Sequence, residues 1–212
     1  RRLMKAVVCT KLGDPNLLEI KEIEKPKPNK NEVLIDVQAA GVNFPDALMV
    51  QGKYQIVMEP PFTPGNEVCG YIEDSGDDVD IENGTKVIAL PPIGGFSEYV
   101  CVDKNLVIPV SEKVDSMAGA SLPINYGTCY YALKRRANIK EGETLLVLGA
   151  SGGIGTATIQ LAKIMGVKTI CAVGSNEKAE YVKSLGADEI IRYDQIDLKE
   201  TVKDLTNGKG VD

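Results

Sequence analysis

Histidine is absent from the 212 residues, and this absence excludes several classes of mechanism. Without an imidazole base, neither a Ser-His-Asp nor a Cys-His nucleophilic mechanism is available. The commonest zinc ligand is missing too, so a metal site would need cysteines and carboxylates alone. No such group has the spacing of a metal site in the sequence, and we therefore expect no metal.

Paired cysteines and long apolar runs are also missing. The chain has 5 cysteines, an odd number without a C-x-x-C motif. Reduced and mostly buried thiols of this kind indicate the cytoplasm or the mitochondrial matrix. No uninterrupted apolar stretch is long enough to span a bilayer, so we expect no membrane partner.

A surplus of positive charge is the third absence. The formal net charge of −6 argues against a nucleic-acid partner. The composition, with 43% hydrophobic and 25% charged residues, is ordinary for a globular protein with a core. The length exceeds the usual size of a single domain, so we expect two domains or one and a part.

The first part of the chain has the pattern of short strands between turns. The β-rich segments LMKAVVCT, LEIKEIE and EVLIDVQAAGV are separated by GDPN and KPKPNKN. VCGYIED, TKVIALP, GGFSEYVCV and LVIPV continue this pattern. We expect residues 1–122 to form a small barrel or sandwich with one short helix after Asn43.

Residues 123–212 show a different pattern, in which strands alternate with helices. The apolar run LLVL precedes a helix ending in LAKIMG, and KTICAV, the helical EKAEYVKSLG and EIIR follow. Asp197 and Glu200 have the spacing of a capping box at the start of a further helix. This alternation predicts an α/β fold with a parallel, doubly wound sheet and right-handed crossovers.

The stretch LLVLGASGGIG places small residues between the first of these strands and its helix. We expect the turn to hold a pyrophosphate, because Gly152 lets the backbone approach the anion and Gly155 lets the helix pack on the strand. The anion would lie at the helix N terminus, where unpaired N–H groups favour negative charge. The motif G-x-G-x-x-G is imperfect at its first position, so a purely structural turn is the alternative. The predicted contacts are Ala150, Ser151, Gly152, Gly153 and Ile154.

The end of the next strand, AVGSNEK, favours NADPH over NADH. NAD-binding units carry an acidic residue about 20 positions past the glycine turn for the ribose 2′-hydroxyl, and here Gly174 and Ser175 occupy that tip. Ser175, Lys178 and a helix N terminus would bind a 2′-phosphate. The alternative is that Ser175 only caps the helix and Lys178 is a surface charge. Glu177 counts against the NADPH interpretation.

Five segments resemble the zinc-free quinone oxidoreductase branch of the medium-chain dehydrogenase/reductase family. They are GVNFPDALMVQGKYQ, PFTPGNEVCGYIE, GTKVIALPPIGGFSEYV, PINYGTCYYAL and LVLGASGGIGTATIQLAK, and they follow the family's order. The resemblance implies a GroES-like barrel as the substrate domain and a Rossmann domain that holds the nicotinamide cofactor. Ala150 is a familiar substitute at the first turn position of that family.

The resemblance also implies that both zinc sites of the zinc-dependent members are absent. Asn43 and Asn66 stand where those members have a cysteine and a histidine, and VIALPPIGG replaces their cysteine-rich lobe. Without a Lewis acid, alcohol oxidation is disfavoured. Reduction of an electron-poor C=C bond or quinone needs less help, because the cofactor supplies the hydride and the protein supplies orientation.

The resemblance gives roles to individual residues. Asn43 is expected to contact the nicotinamide and the substrate carbonyl, and a helix N-cap is its alternative role. Tyr54 matches a pocket tyrosine of quinone reductases, which is the proposed proton donor in enoyl-thioester reductases; a packed ring is the alternative. Thr128 resembles a threonine that bonds the nicotinamide carboxamide, and Tyr193 a tyrosine beside the adenosine phosphate. Glu67 is expected to be structural.

We therefore predict an NADPH-dependent oxidoreductase that transfers hydride to a quinone or another α,β-unsaturated carbonyl compound without zinc. An enoyl-thioester reductase with Tyr54 as the acid is one alternative, and a non-catalytic NADPH-binding protein is another. The expected partners are a small-molecule quinone or enone and, in the full-length protein, a second copy in a homodimer.

The resemblance places the last residues, NGKGVD, just before the fourth strand of the Rossmann sheet. In the order 3-2-1-4-5-6, the strand LLVLG would then have an open edge. We expect these residues to belong to a longer protein, or to be covered by another polypeptide. Alone, they should have little or no reductase activity.

Overall fold

The computed structural model describes residues 3–212 and divides them into two compact units. The first unit reaches Pro123, and the second runs from Ile124 to Asp212. This boundary lies one residue beyond the one expected from the sequence. Each unit has a sheet and hydrophobic clusters of its own.

The first unit contains seven of the strands in residues 3–212. Their bounds are β1 Leu3–Val8, β2 Glu19–Glu24, β3 Glu32–Ala40, β4 Val68–Ser75, β5 Lys86–Ala89, β6 Tyr99–Asp103 and β7 Val107–Pro109. β1 and β2 form an antiparallel hairpin. The other five form an antiparallel sheet in the order β6-β3-β4-β5-β7.

The hairpin is joined to the segment that precedes β6. The Val7 backbone N–H donates to the Phe96 carbonyl at 2.8 Å, and the Glu98 N–H donates to the Lys5 carbonyl at 3.0 Å. Ala6 and Ser97 form an isolated antiparallel bridge between these two bonds. The strands of the first unit are thus linked around their core without forming one continuous ladder.

The core of the five-stranded sheet follows the two-residue period of a strand. Side chains at alternate positions point to the same face of a sheet, and β-branched residues dominate that face here. The buried cluster consists of Val33, Ile35, Val68, Ile72, Val87, Ala89, Val100, Val102 and Val107. The strands themselves were predicted from β-rich segments between turn residues.

Two short helices complete the first unit. Helix α1 spans Phe44–Val50 and has a proline in its first turn, where proline's missing N–H has no intrahelical partner to lose. Helix α2 spans Ser116–Ser121, and the Asp115 side chain caps it by accepting from two backbone N–H groups. Single turns of 3-10 helix lie at Pro15–Leu17 and Lys104–Leu106.

The second unit is a parallel α/β structure, as predicted. Its strands are β8 Thr144–Leu148, β9 Lys168–Val173 and β10 Glu189–Arg192, in the order β10-β9-β8. The helices are α3 Pro123–Tyr130, α4 Gly153–Ile164, α5 Asn176–Ser184 and α6 Leu198–Leu205, and a π-helical segment, Tyr131–Arg136, follows α3. Among residues 3–212, no helix combines the length and the apolar character needed to cross a bilayer.

Helices cover both faces of this parallel sheet. Cys171 of β9 packs with Ile159 of α4 and Val182 of α5 in one cluster. Ile170, the preceding residue, packs with Val202 of α6 in another. Because successive side chains of a strand point to opposite faces, α4 and α5 lie on one face and α6 lies on the other.

Helix α4 packs closely against the turn that follows β8. A Cβ atom added at Gly155 would lie 2.3 Å from the carbonyl oxygen of Ala150 and 2.5 Å from its carbonyl carbon. Both residues are buried. The backbone itself therefore fills the space at position 155, and this is the packing role expected of Gly155 from the sequence.

Gly155→Ala should lower the free energy of unfolding by about 1–3 kcal/mol, because an added methyl group must push two backbone segments apart. The matched control is Gly127→Ala in α3, where the new Cβ would meet no atom within 4 Å. The control should be neutral or stabilising, since alanine has the higher helix propensity. Urea unfolding measures both, and a G155A protein as stable as wild type would contradict the close packing.

Candidate functional site

The turn between β8 and α4 presents backbone donors to solvent. Gly149 has a φ of +60°, and Gly152 is the N-cap residue of α4, with no side chain that caps the helix. The first-turn N–H groups of a helix have no intrahelical partner. Gly152, Gly153 and Ile154 are exposed, Ser151 is partly exposed and Ala150 is buried. The arrangement suits an anion such as a pyrophosphate.

Helix α3 borders this turn. The Cys129 thiol donates to the Ile154 carbonyl, with 3.3 Å between sulfur and oxygen. A Cβ atom at Gly153 would lie 2.9 Å from the Asn125 side-chain oxygen. Thr128 is exposed on the same helix. The structure thus places the helix that carries Thr128 against the glycine turn, and Asn125 is a neighbour of the turn that sequence reasoning missed.

The end of β9 brings together the residues predicted to bind the adenosine part of the cofactor. A Cβ atom at Gly174 would lie 2.9 Å from the Tyr193 hydroxyl oxygen, so the Tyr193 ring lies directly against this glycine. Ser175 is the N-cap residue of α5, and its hydroxyl oxygen accepts from the Lys178 backbone N–H at 3.2 Å. The capping role considered for Ser175 is therefore present. It leaves the hydroxyl proton free to be donated to a ligand.

Lys178 and Glu177 both lie exposed in the first turn of α5. Within the part of the chain that the structure describes, Lys178 takes part in no ion pair. Its ammonium group is available to an anionic ligand. Glu177 lies in the first turn of α5, where a carboxylate stabilises the helix by interacting with the positive end of its dipole.

Arg192 is a second cation at this tip, which the sequence interpretation did not include. It ends β10, and its Nε and Nη2 atoms donate to the two carboxylate oxygens of Asp194 at 2.8 and 2.6 Å. Nη1 donates to the side-chain oxygen of Asn176, the first residue of α5. The hydrogen bonds from Arg192 hold the pKa of Asp194 below its ordinary value. The signal in the sequence was a cation directly before Tyr193 at the strand end.

A buried polar group, formed by Asn43, Asp46 and Glu67, lies at the start of α1 in the first unit. The Asn43 backbone N–H donates to Asp46 Oδ2 at 2.7 Å, and the Asn43 side-chain Nδ2 donates to Glu67 Oε1 at 2.7 Å. Asp46 is 3% exposed and Glu67 is 1% exposed. Burial raises the pKa of Asp46, although the hydrogen bond from Asn43 opposes that shift.

Tyr54 packs against a small hydrophobic cluster and is partly exposed. The cluster contains Cys9, Met49, Val50 and Phe62. In residues 3–212, no protein group is hydrogen-bonded to the Tyr54 hydroxyl. The ring is therefore packed, as the structural alternative required, while the hydroxyl stays open to a ligand.

Residues 3–212 contain no group of three or more His, Cys, Asp or Glu side chains that could hold a metal ion. Asn43 and Asn66, at the positions compared with zinc ligands, are neutral amides. All five cysteines are unpaired, and burial raises the pKa of Cys101 and of Cys171 to about 11. Thiols of such high pKa are poor metal ligands at neutral pH.

Two family models match the chain. Residues 29–112 match the alcohol dehydrogenase GroES-like domain, and residues 153–212 match the zinc-binding dehydrogenase domain. The first match covers all five strands of the five-stranded sheet. The second begins at the first residue of α4 and runs to the end of the chain.

A curated relative matches the sequence of almost the whole chain. Quinone oxidoreductase-like protein 2 of Bos taurus is 38% identical over 212 residues, which are 99% of this chain and 60% of the relative. The chain thus spans about 60–65% of the length of the curated relatives that it resembles.

Solved structures agree with this comparison. A probable oxidoreductase from Mycobacterium abscessus superposes with a TM-score of 0.93 at 42% identity, covering 99% of this chain and 68% of that one. The quinone oxidoreductase of Thermus thermophilus, solved alone and with NADPH, superposes with a TM-score of 0.84 at 36% identity, covering 99% and 65%. The chain belongs to the medium-chain dehydrogenase/reductase family, and several of the relatives that it resembles are named quinone oxidoreductases.

Proposed function

We propose that the protein is an NADPH-dependent oxidoreductase that reduces quinones or other α,β-unsaturated carbonyl compounds. The observation that carries this proposal is the nucleotide site of the second unit. There a helix N terminus without a side-chain cap lies on a glycine turn, and the tip of the next strand carries a hydroxyl and a cation. The names of the relatives and the NADPH complex of the Thermus enzyme support the same function.

The residues of the second unit fit NADPH. The turn from Ala150 to Ile154 would bind the pyrophosphate through the backbone N–H groups at the start of α4, which have no intrahelical partner. The Ala150 and Gly152 N–H groups would not be among these donors, because they donate to the Ala172 and Gly149 carbonyls at 3.3 and 3.1 Å. The Ser175 hydroxyl and the Lys178 ammonium would bind the 2′-phosphate, with Tyr193 beside the adenosine. Thr128 would bond the nicotinamide carboxamide. When bound, NADPH supplies the hydride.

Two residues of the first unit would act on the substrate. Asn43 is proposed to donate a side-chain N–H to the substrate carbonyl, which would stabilise the negative charge that develops on that oxygen during reduction. Tyr54 is proposed to line the substrate pocket. If the substrate is an enoyl thioester, the open Tyr54 hydroxyl is the candidate proton donor.

A panel of acceptors tests the reaction class. In the complete protein, loss of NADPH absorbance is measured with quinones, simple enones and enoyl thioesters, each at equal concentration. We expect turnover with the quinones or enones. Turnover with enoyl thioesters alone would instead support the enoyl-thioester reductase, and NADPH binding without turnover on any acceptor would support a non-catalytic protein.

We also propose that the protein is a homodimer, as the family resemblance implies, and that it is cytoplasmic, as its unpaired cysteines indicate. Light scattering during gel filtration of the complete protein measures the assembly, and a monomer across the working concentration range would contradict it. Cell fractionation tests the compartment, and recovery in the mitochondrial matrix would replace the cytoplasmic assignment.

Lys178→Ala should weaken NADPH binding by about 10- to 100-fold and leave NADH binding unchanged, because only NADPH carries the 2′-phosphate. The matched control is Lys183→Ala, an exposed lysine in the last turn of the same helix. Ser175→Asp should reverse the preference toward NADH, since aspartate keeps the N-cap but repels the phosphate and accepts from a ribose hydroxyl. Calorimetric titration of each protein with both cofactors measures these affinities. Equal affinity of the wild type for NADPH and NADH would contradict the assignment.

We further propose that the reaction is independent of zinc. Asn43 and Asn66 offer zinc neutral amides instead of a thiolate, a carboxylate or an imidazole. The raised pKa values of the Cys101 and Cys171 thiols disfavour a zinc site built from cysteines. Turnover should therefore be unchanged after prolonged dialysis against a chelator, and elemental analysis should find no stoichiometric zinc. Zinc retained at one equivalent per chain, with activity lost on its removal, would refute this.

A further inference from the structure

Glu67 is a carboxylate with almost no contact with solvent, and it bonds the one side chain proposed to touch the substrate carbonyl. It is 1% exposed, and its Oε1 atom accepts from Asn43 Nδ2 at 2.7 Å. The chain makes room for it by a glycine: a Cβ atom at Gly41 would lie 2.2 Å from Glu67 Oε1. A carboxylate buried at this position requires a reason beyond packing, because burying a charge costs free energy unless polar partners compensate.

The chemistry of the two side chains decides which way the Asn43 amide faces. The Glu67 Oε1 atom accepts from Asn43 Nδ2, so the NH₂ end of the amide, and not its oxygen, faces Glu67. One of the two N–H groups of Nδ2 is therefore held by Glu67. Asn43 is partly exposed, and its second N–H is open to a ligand.

The backbone of Asn43 is fixed by a second carboxylate. Asp46, in the first turn of α1, accepts from the Asn43 backbone N–H at 2.7 Å, and Asn43 has an extended backbone with φ −123° and ψ 160°. Backbone and side chain of this residue are thus held independently, from α1 on one side and from the segment before β4 on the other. The free N–H of the amide has a defined direction before any substrate binds.

We propose that Glu67 is a positioning residue, which fixes the Asn43 amide so that its second N–H donates to the carbonyl oxygen of the substrate. This inference rests on the proposed function. During reduction the β-carbon of the substrate gains the hydride as a new C–H bond, and the C=C electron pair shifts to form an enolate with its charge on oxygen. In an enone, the α-carbon then takes a proton from water to give the saturated carbonyl product; a quinone takes up the hydride and a proton from water to give the hydroquinone. A donor aimed at that oxygen stabilises the transition state more than the ground state, so its loss lowers kcat more than it raises KM.

Glu67→Gln removes the constraint with little change in volume. A glutamine amide can accept or donate, so both orientations of the Asn43 amide become possible. In the complete protein with a quinone or enone, kcat should fall about 10-fold or more, within the roughly 10²- to 10³-fold that loss of one such donor costs. KM and the NADPH affinity should change little. In an Asn43→Ala background, the same substitution should have no further effect on kcat, because Glu67 acts through Asn43.

A paired substitution separates positioning from structural support. Asn43→Asp alone sets two carboxylates against each other and should lower the melting temperature of the cofactor-free protein. In the N43D/E67Q double variant, the new amide at position 67 can donate to the new carboxylate at position 43, so the hydrogen bond and the melting temperature should recover. The group at position 43 then has no N–H to offer, so kcat should stay low. Recovery of both stability and kcat would show that the pair is structural.

Lys86→Met is the control for general destabilisation of the first unit. Lys86 is also buried, at 6% exposure, and its ammonium donates to the Val114 carbonyl at 2.7 Å. This variant should lower the melting temperature while kcat per folded molecule is retained. If the wild type turns over and E67Q keeps the full kcat, the positioning role of Glu67 is overturned and the proposed function still stands. A wild type without turnover on any quinone or enone would overturn the proposed function, and this inference with it.

Discussion

The close approach of α4 to the carbonyl of Ala150 determines what the second unit can bind. Because Gly155 has no side chain, the helix starts directly behind β8, and Gly152 caps it with backbone alone. A serine or aspartate at the N-cap would satisfy the same donors that an anion needs. The turn thus keeps its first N–H groups for a ligand, and the helix dipole adds to their effect.

Charge is distributed differently at the two candidate sites. At the tip of β9 the carboxylate of Asp194 is balanced by Arg192, so it opposes an incoming phosphate less than its position suggests. At the start of α1 the carboxylates are buried and face Asn43. The first arrangement leaves Lys178 as the unpaired cation of α5's first turn. At the start of α1, by contrast, the carboxylates of Asp46 and Glu67 orient the neutral side chain and the backbone of Asn43.

Much of the fold could be predicted from the sequence because its signals are local. β-rich segments between turn residues indicated the strands of the first unit, and the glycines at 152 and 155 indicated the strand–turn–helix of the second. The Arg192–Asn176 and Asn43–Glu67 bonds could not be predicted in this way. They join residues that are 16 and 24 positions apart, and their formation depends on the register of different elements. The π-helical segment Tyr131–Arg136 could not be predicted, since a widened helical turn has no sequence pattern of its own.

The position of the adenosine 2′-phosphate in a crystal structure of the complete protein with NADPH tests the account most directly. We expect the phosphate within hydrogen-bonding distance of the Ser175 hydroxyl and the Lys178 ammonium, with the pyrophosphate on the backbone N–H groups at the start of α4. A 2′-phosphate that points into solvent, or a pyrophosphate bound away from the glycine turn, would contradict the account.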